Sequence, residues 1–158
     1  MAAARDPRPR AVNEDFRDFL AALLETGTRF LVVGAHAMAV HGVPRATGDL
    51  DVWLAREADN ADRAWAALLR FGAPVEALGL SRADLSRPDQ VVQIGLPPRR
   101  IDLLTSISGV SFEEAWPGRA THQVEGLAIP FLGRASLVQN KRAAGRAKDL
   151  ADLESLGE

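Results

Sequence analysis

The chain has 158 residues, 47% hydrophobic and 25% charged, a globular balance that excludes a disordered chain and fits one compact domain. Its 19 basic and 21 acidic side chains leave a formal charge of −2, which argues against a protein that coats nucleic acid by bulk charge and leaves room for a local basic groove. The absence of cysteine excludes disulfides, thiolate metal sites and cysteine nucleophiles, and no apolar run reaches the roughly 18 residues of a membrane helix.

Residues 1–12, rich in Ala, Arg and Pro, read as a loose arm with no secretory signal, so a cytoplasmic location without a membrane partner is expected. Residues 13–158 are expected to form a single domain. Asn13 is placed to cap a helix from Glu14 to about Thr26, with Phe16, Phe19, Leu20, Leu23 and Leu24 on one face and Gly27 as its stop. Arg29 to Val33 is an apolar, β-branched run read as a buried strand, and Ala35 to His41 reads as a short helix closed by Gly42 and Pro44. Asp49 to Leu54 alternates acid and apolar residues at strand period. Asp62 to Phe71 is predicted helical, with Ala64, Trp65, Leu68 and Leu69 as its stripe. Gln90 to Gly95 and Arg99 to Thr105 form a predicted hairpin around Leu96, Pro97 and Pro98. Ser111 to Trp116 starts with a capping sequence. Ala120 to Glu125 pairs with Leu127 to Leu132, and two helices, Ser136 to Ala144 and Ala147 to Leu156, hinge near Gly145. Helices alternating with short strands predict a mixed sheet flanked by helices.

Three acids stand out. Asp49 and Asp51 are two residues apart on a predicted strand, so both carboxylates share a face and repel unless a cation lies close. Asp102 is the single acid of a second apolar strand, Arg100-Ile101-Asp102-Leu103-Leu104. If the two strands are neighbours, three carboxylates converge and can hold Mg²⁺ for chemistry at phosphate. The alternative is that all three belong to solvent faces of edge strands. Val32-Val33-Gly34-Ala35-His36-Ala37 reads as strand, glycine, helix, a junction that aims backbone N–H groups at an anion or else is a plain turn.

Phe30 to Leu54, with Gly34-Ala35, His41-Gly42, Arg45-Ala46-Thr47-Gly48 and Asp49-Leu50-Asp51, resembles the nucleotidyltransferase superfamily that includes DNA polymerase β. Phe131-Leu132-Gly133, Leu137, Asn140-Lys141 and the run Gly145 to Leu153 are similar to the closing helices of its small bacterial branch related to AbiEii-type toxins. The resemblance spans most of residues 30–153. It implies a minimal α/β (α+β) nucleotidyltransferase fold: a mixed β-sheet flanked by helices, with a C-terminal helical segment. It further implies Mg²⁺ held by Asp49, Asp51 and Asp102 as metal ligands and catalytic residues, and an NTP held at Gly34, Ala35, Arg45, Thr47 and Lys141. For Arg45 the alternative is a surface arginine, and for Lys141 a solvated helix face. Arg142, Arg146 and Lys148 could form a basic rim, but structural ion pairs of Lys148 and Asp149 are the favoured expectation. The sequence departs from the pattern at Ala35, where the family carries Ser or Gly; only its backbone N–H remains for phosphate.

Two functions follow. The first is Mg²⁺-dependent transfer of a nucleoside monophosphate from an NTP to an acceptor hydroxyl with release of pyrophosphate; the branch implies a tRNA end, a partner protein or a small molecule as acceptor. The second is a catalytically weak or inactive binding module, such as one half of a toxin–antitoxin pair. Ala35 favours the second and the retained acids the first. His36 and His41 lie five residues apart with no third ligand, which speaks against zinc. His122 stands alone, and Trp53, Trp65 and Trp116 read as core aromatics.

Overall fold

In the computed structural model, which describes residues 13–44 and 48–158, the first helix α1 (Glu14–Glu25) starts where Asn13 accepts a hydrogen bond from the Phe16 amide at 3.0 Å. Such a cap is worth about 1 kcal/mol. The helix ends at Thr26, and Gly27 turns the chain with φ of 70°. The expected arm at residues 1–12 lies outside the described residues.

Six strands form one sheet in the order β3-β4-β2-β1-β6-β5. They are β1 (Phe30–Val33), β2 (Leu50–Leu54), β3 (Val91–Ile94), β4 (Ile101–Leu104), β5 (Ala120–Val124) and β6 (Leu127–Phe131). β1 runs antiparallel to β2, β3 to β4 and β5 to β6, whereas β2 is parallel to β4 and β1 to β6. The sheet is thus mixed, as expected, and the two predicted hairpins are its outer pairs.

Alternation along the strands divides the core into two layers. Phe30, Val32, Leu50, Val52, Leu54, Ile101 and Leu103 pack with α1 and α3 (Ala58–Phe71) on one face. Leu31, Val33 and Trp53 pack on the other face with α2 (Gly34–Val40), α4 (Phe112–Ala115), α5 (Arg134–Ala144) and α6 (Ala147–Ser155). Removing one such side chain from water contributes about 1.5–3 kcal/mol, so the face each strand residue takes is strongly fixed.

The structure departs from the sequence reading at α3 and just after it. α3 starts at Ala58 rather than Asp62 because buried Asn60 ties its first turn to the sheet: the side chain accepts from the Arg29 amide (2.7 Å) and donates to the carbonyls of Arg29 (3.0 Å) and Ala55 (2.6 Å). Leu69 is 54% exposed; the inner stripe runs through Asn60, Ala61, Ala64, Ala67 and Leu68. A 3-10 turn at Arg82–Ser86, capped by Ser81 and Asp84, was not foreseen. The capping box predicted at Ser111 forms with Glu114.

Candidate active site

Strand parity selects the face on which the acids stand. Leu50, Val52 and Leu54 point to the α1/α3 layer, so Asp51 belongs with Trp53 on the α2/α5/α6 face. Ile101 and Leu103 likewise leave Asp102 on that same face, with Leu104. The parallel register of β2 and β4 then pairs Asp51 directly with Asp102, and the antiparallel register of β1 and β2 pairs Asp51 with Val33, the residue before Gly34. Asp49 lies just before β2. Gly34, Ala35, Asp49, Asp51 and Asp102 line one cleft of about 340 Å³. A larger groove of about 920 Å³ along α1 carries none of these acids; two ion pairs cross it, Arg99 with Asp15 and Arg70 with Glu25.

Burial pushes the Asp51 carboxyl up to about 6, and the neighbouring charges of Asp102 and Asp49 push in the same direction; Arg100 and Lys148 oppose them. Arg100 was not singled out from the sequence. Two residues before Asp102, it shares that side chain's face, and its guanidinium spans two acids: Nε donates to Asp102 Oδ1 at 2.9 Å, Nη2 to Asp102 Oδ2 at 3.3 Å, and Nη2 pairs with Asp49 Oδ2 at 2.7 Å. The second oxygen of Asp49, Oδ1, is buried without a hydrogen-bond partner among the described residues.

The donor chemistry suits a hard divalent cation: three carboxylates, one with an orphaned oxygen, against the charges of Arg100 and Lys148. Among the described residues, however, no group of three acids or histidines is gathered in a metal-holding arrangement. The guanidinium of Arg100, held by Asp49 and Asp102, lies within the set that would have to close.

The lysines are arranged otherwise than expected. Lys141 lines the cleft, but its Nζ is committed to Asp152 at 2.8 Å and Asp149 at 3.4 Å, and its side chain is 11% exposed. Burial lowers its affinity for a proton. Asp149 is held down at about 2 by the Arg146 side-chain hydrogen bond, with Nε 2.7 Å away. Asp149 therefore pairs with Arg146 and Lys141. Asp149 thus makes the structural ion pairs expected of it, whereas Lys148, of which the same was expected, is exposed at the cleft with no ion-pair partner among the described residues. Its i, i+3 and i, i+4 relations were legible in the sequence; which lysine turns inward depends on how α5 packs on α6. Arg45 and Thr47 lie outside the described residues.

His41 donates from Nε2 to the Leu132 carbonyl at 2.7 Å and is a turn residue. Trp53 is buried in the core, while Trp116 stacks on Phe112 with Arg119 over its ring.

The sequence matches no protein-family model and no curated protein. In three dimensions the chain is similar to the crystal structure of a Thermotoga maritima protein provisionally named a nucleotidyltransferase, with a TM-score of 0.58 and 14% identity over 89% of this chain and 88% of that one. At that identity the likeness is one of fold. The six-stranded mixed sheet with flanking helices is a nucleotidyltransferase-like fold.

Proposed function

We propose that the protein is a nucleotidyltransferase, of the small bacterial kind resembling AbiEii-type toxins, that moves a nucleoside monophosphate from an NTP to an acceptor hydroxyl. The acceptor oxygen attacks the α-phosphorus, the bond from that phosphorus to the bridging β-oxygen breaks, and pyrophosphate leaves with the bonding electrons. The proton of the acceptor passes to the acid cluster, in which Asp102 would help to position and deprotonate the hydroxyl. Asp49, Asp51 and Asp102 would hold Mg²⁺, which when bound neutralises charge on the phosphoryl oxygens and activates the hydroxyl. The Gly34-Ala35 turn offers backbone N–H groups to the phosphates, and Lys148 offers an exposed ammonium at the same cleft. Lys141 supports the cleft from below through Asp149 and Asp152. Arg45 and Thr47 are proposed phosphate contacts on the resemblance alone. A tRNA end, a partner protein or a small molecule would serve as acceptor.

The observation that carries this reading is the register pairing Asp51 with Asp102 beside Gly34, in a nucleotidyltransferase-like fold. Ala35, which lacks a hydroxyl for phosphate, supports a second reading, a nucleotidyltransferase-fold binding module without turnover. Calorimetric titration of ATP with and without Mg²⁺, followed by pyrophosphate release with cellular RNA or protein as acceptor, separates the two. The enzyme reading expects Mg²⁺-dependent ATP binding and release by the wild type, with release lost in folded Asp51→Asn and Asp102→Asn. Mg²⁺-dependent binding with no release from any NTP supports the module; no binding at all removes the nucleotide site.

A further inference from the structure

Arg100 stands where the three-acid reading has no place for a cation of the protein's own. The backbone fixes it there: the Leu50 amide donates to the Arg100 carbonyl at 3.0 Å, which sets residue 100 beside the entry to β2 and hence beside Asp49. Its fork engages both oxygens of Asp102, and the shared Nη2 reaches Asp49 Oδ2 at 2.7 Å. The side chain is 28% exposed and lines the cleft, so a path outward is open to it.

We infer that Arg100 is an internal counter-ion, holding Asp49 and Asp102 while no metal is bound and giving way when a divalent cation enters. This rests on the proposed reading that the acids take such a cation. The guanidinium takes acceptor sites on three carboxylate oxygens and sets a positive charge beside them, so it competes with an entering divalent cation for the same acids. The cation then binds by displacing the guanidinium rather than by entering a preformed cage. Loading is weak with metal alone and stronger when the phosphates of an NTP give the displaced guanidinium a new partner.

The experiment is a calorimetric titration of Mg²⁺ and of Mn²⁺, without nucleotide, into wild type, Arg100→Gln and Arg100→Lys. Melting curves with and without the cation accompany it. Arg100→Gln is expected to bind the cation about tenfold more tightly, because both the competitor and its repulsive charge are gone. Its metal-free melting temperature should fall below that of the wild type, and added cation should raise it by more. Arg100→Lys, which keeps the charge but loses the fork, should show a smaller gain. Equal or weaker cation affinity in folded Arg100→Gln overturns the inference; should that variant not fold, equal or weaker affinity in Arg100→Lys overturns it. Absence of cation binding in all three proteins overturns this inference, and the titration of ATP with and without Mg²⁺ then decides the metal reading.

Discussion

Gly34 and Asp51 are fitted to each other across the β1–β2 pair. Gly34 leaves β1 with φ of 68°, and a Cβ built on it would overlap Oδ2 of Asp51 and stand 3.1 Å from its Cγ. From the sequence the glycine was expected to let a phosphate approach the backbone. The structure shows an earlier need, room for the protein's own carboxylate. Gly34→Ala is therefore expected to destabilise the protein without any ligand, by about 1–3 kcal/mol, through the strained φ and a displaced Asp51. A urea titration reads this as a lower midpoint at unchanged slope. An unchanged midpoint would mean that the glycine serves only the ligand.

Ala35→Ser is the cleaner probe of phosphate binding, since it adds a hydroxyl without altering the turn. ATP affinity in the presence of Mg²⁺ is expected to stay the same or improve by about 0.5–1.5 kcal/mol, one hydrogen bond. Titration calorimetry checks it. A marked loss of affinity would place the triphosphate elsewhere than on this turn.

Asp51→Asn should stabilise the metal-free protein at neutral pH. The folded state holds the Asp51 proton up to about pH 6 and the unfolded chain releases it near 3.8, so the wild type loses stability as pH rises between these values. A tenfold change in proton affinity is worth about 1.4 kcal/mol, which makes the gain in Asp51→Asn on the order of 3 kcal/mol above pH 6. Below pH 4 the two proteins should coincide. Denaturant titrations in chelator across pH 4 to 7.5 test the divergence, and a constant difference would assign Asp51 a structural hydrogen bond instead.

Lys141 and Lys148 should separate stability from binding. Lys141→Met leaves Asp149 and Asp152 short of a buried cation and is expected to cost about 3 kcal/mol. Lys148→Ala removes an exposed ammonium with no ion-pair partner among the described residues, so stability should change by less than about 0.5 kcal/mol while ATP affinity weakens several-fold. Thermal melts and ATP titration on the two variants give the comparison. Equal loss of stability in both would contradict the division of labour.

His36 supplies an acid-side effect. Burial lowers its proton affinity, and its Nε2 has no partner among the described residues. Below pH 6.5 the unfolded chain takes up a proton that the folded state refuses, so this contribution to stability is full above that pH and is lost as pH falls. His36→Phe, which keeps the ring against Phe16 (centroids 5.9 Å apart in the wild type), should show a flatter decline between pH 6.5 and 5. Parallel slopes would mean that the folded protein protonates His36 freely.

The sequence by itself determined most of the elements and, apart from Leu24 and Leu69, the faces of their apolar residues. Helical spacing in Glu14 to Thr26, the caps at Asn13 and Ser111, and the alternation Asp49-Leu50-Asp51-Val52 are local patterns, and local patterns follow from backbone geometry within a few residues. The start of α3 was beyond that reach, because Asn60 binds Arg29, 31 positions earlier in the chain. So was the site as a working set. That Asp51 faces Asp102, that Arg100 joins Asp102 to Asp49, and that Lys141 turns inward while Lys148 stays out all depend on the parallel register of β2 with β4 and on the packing of α5 against α6. Register and ion-pair choice between distant segments are settled by burial of whole faces and by competition among charges for one another, and neither leaves a periodic trace in the sequence.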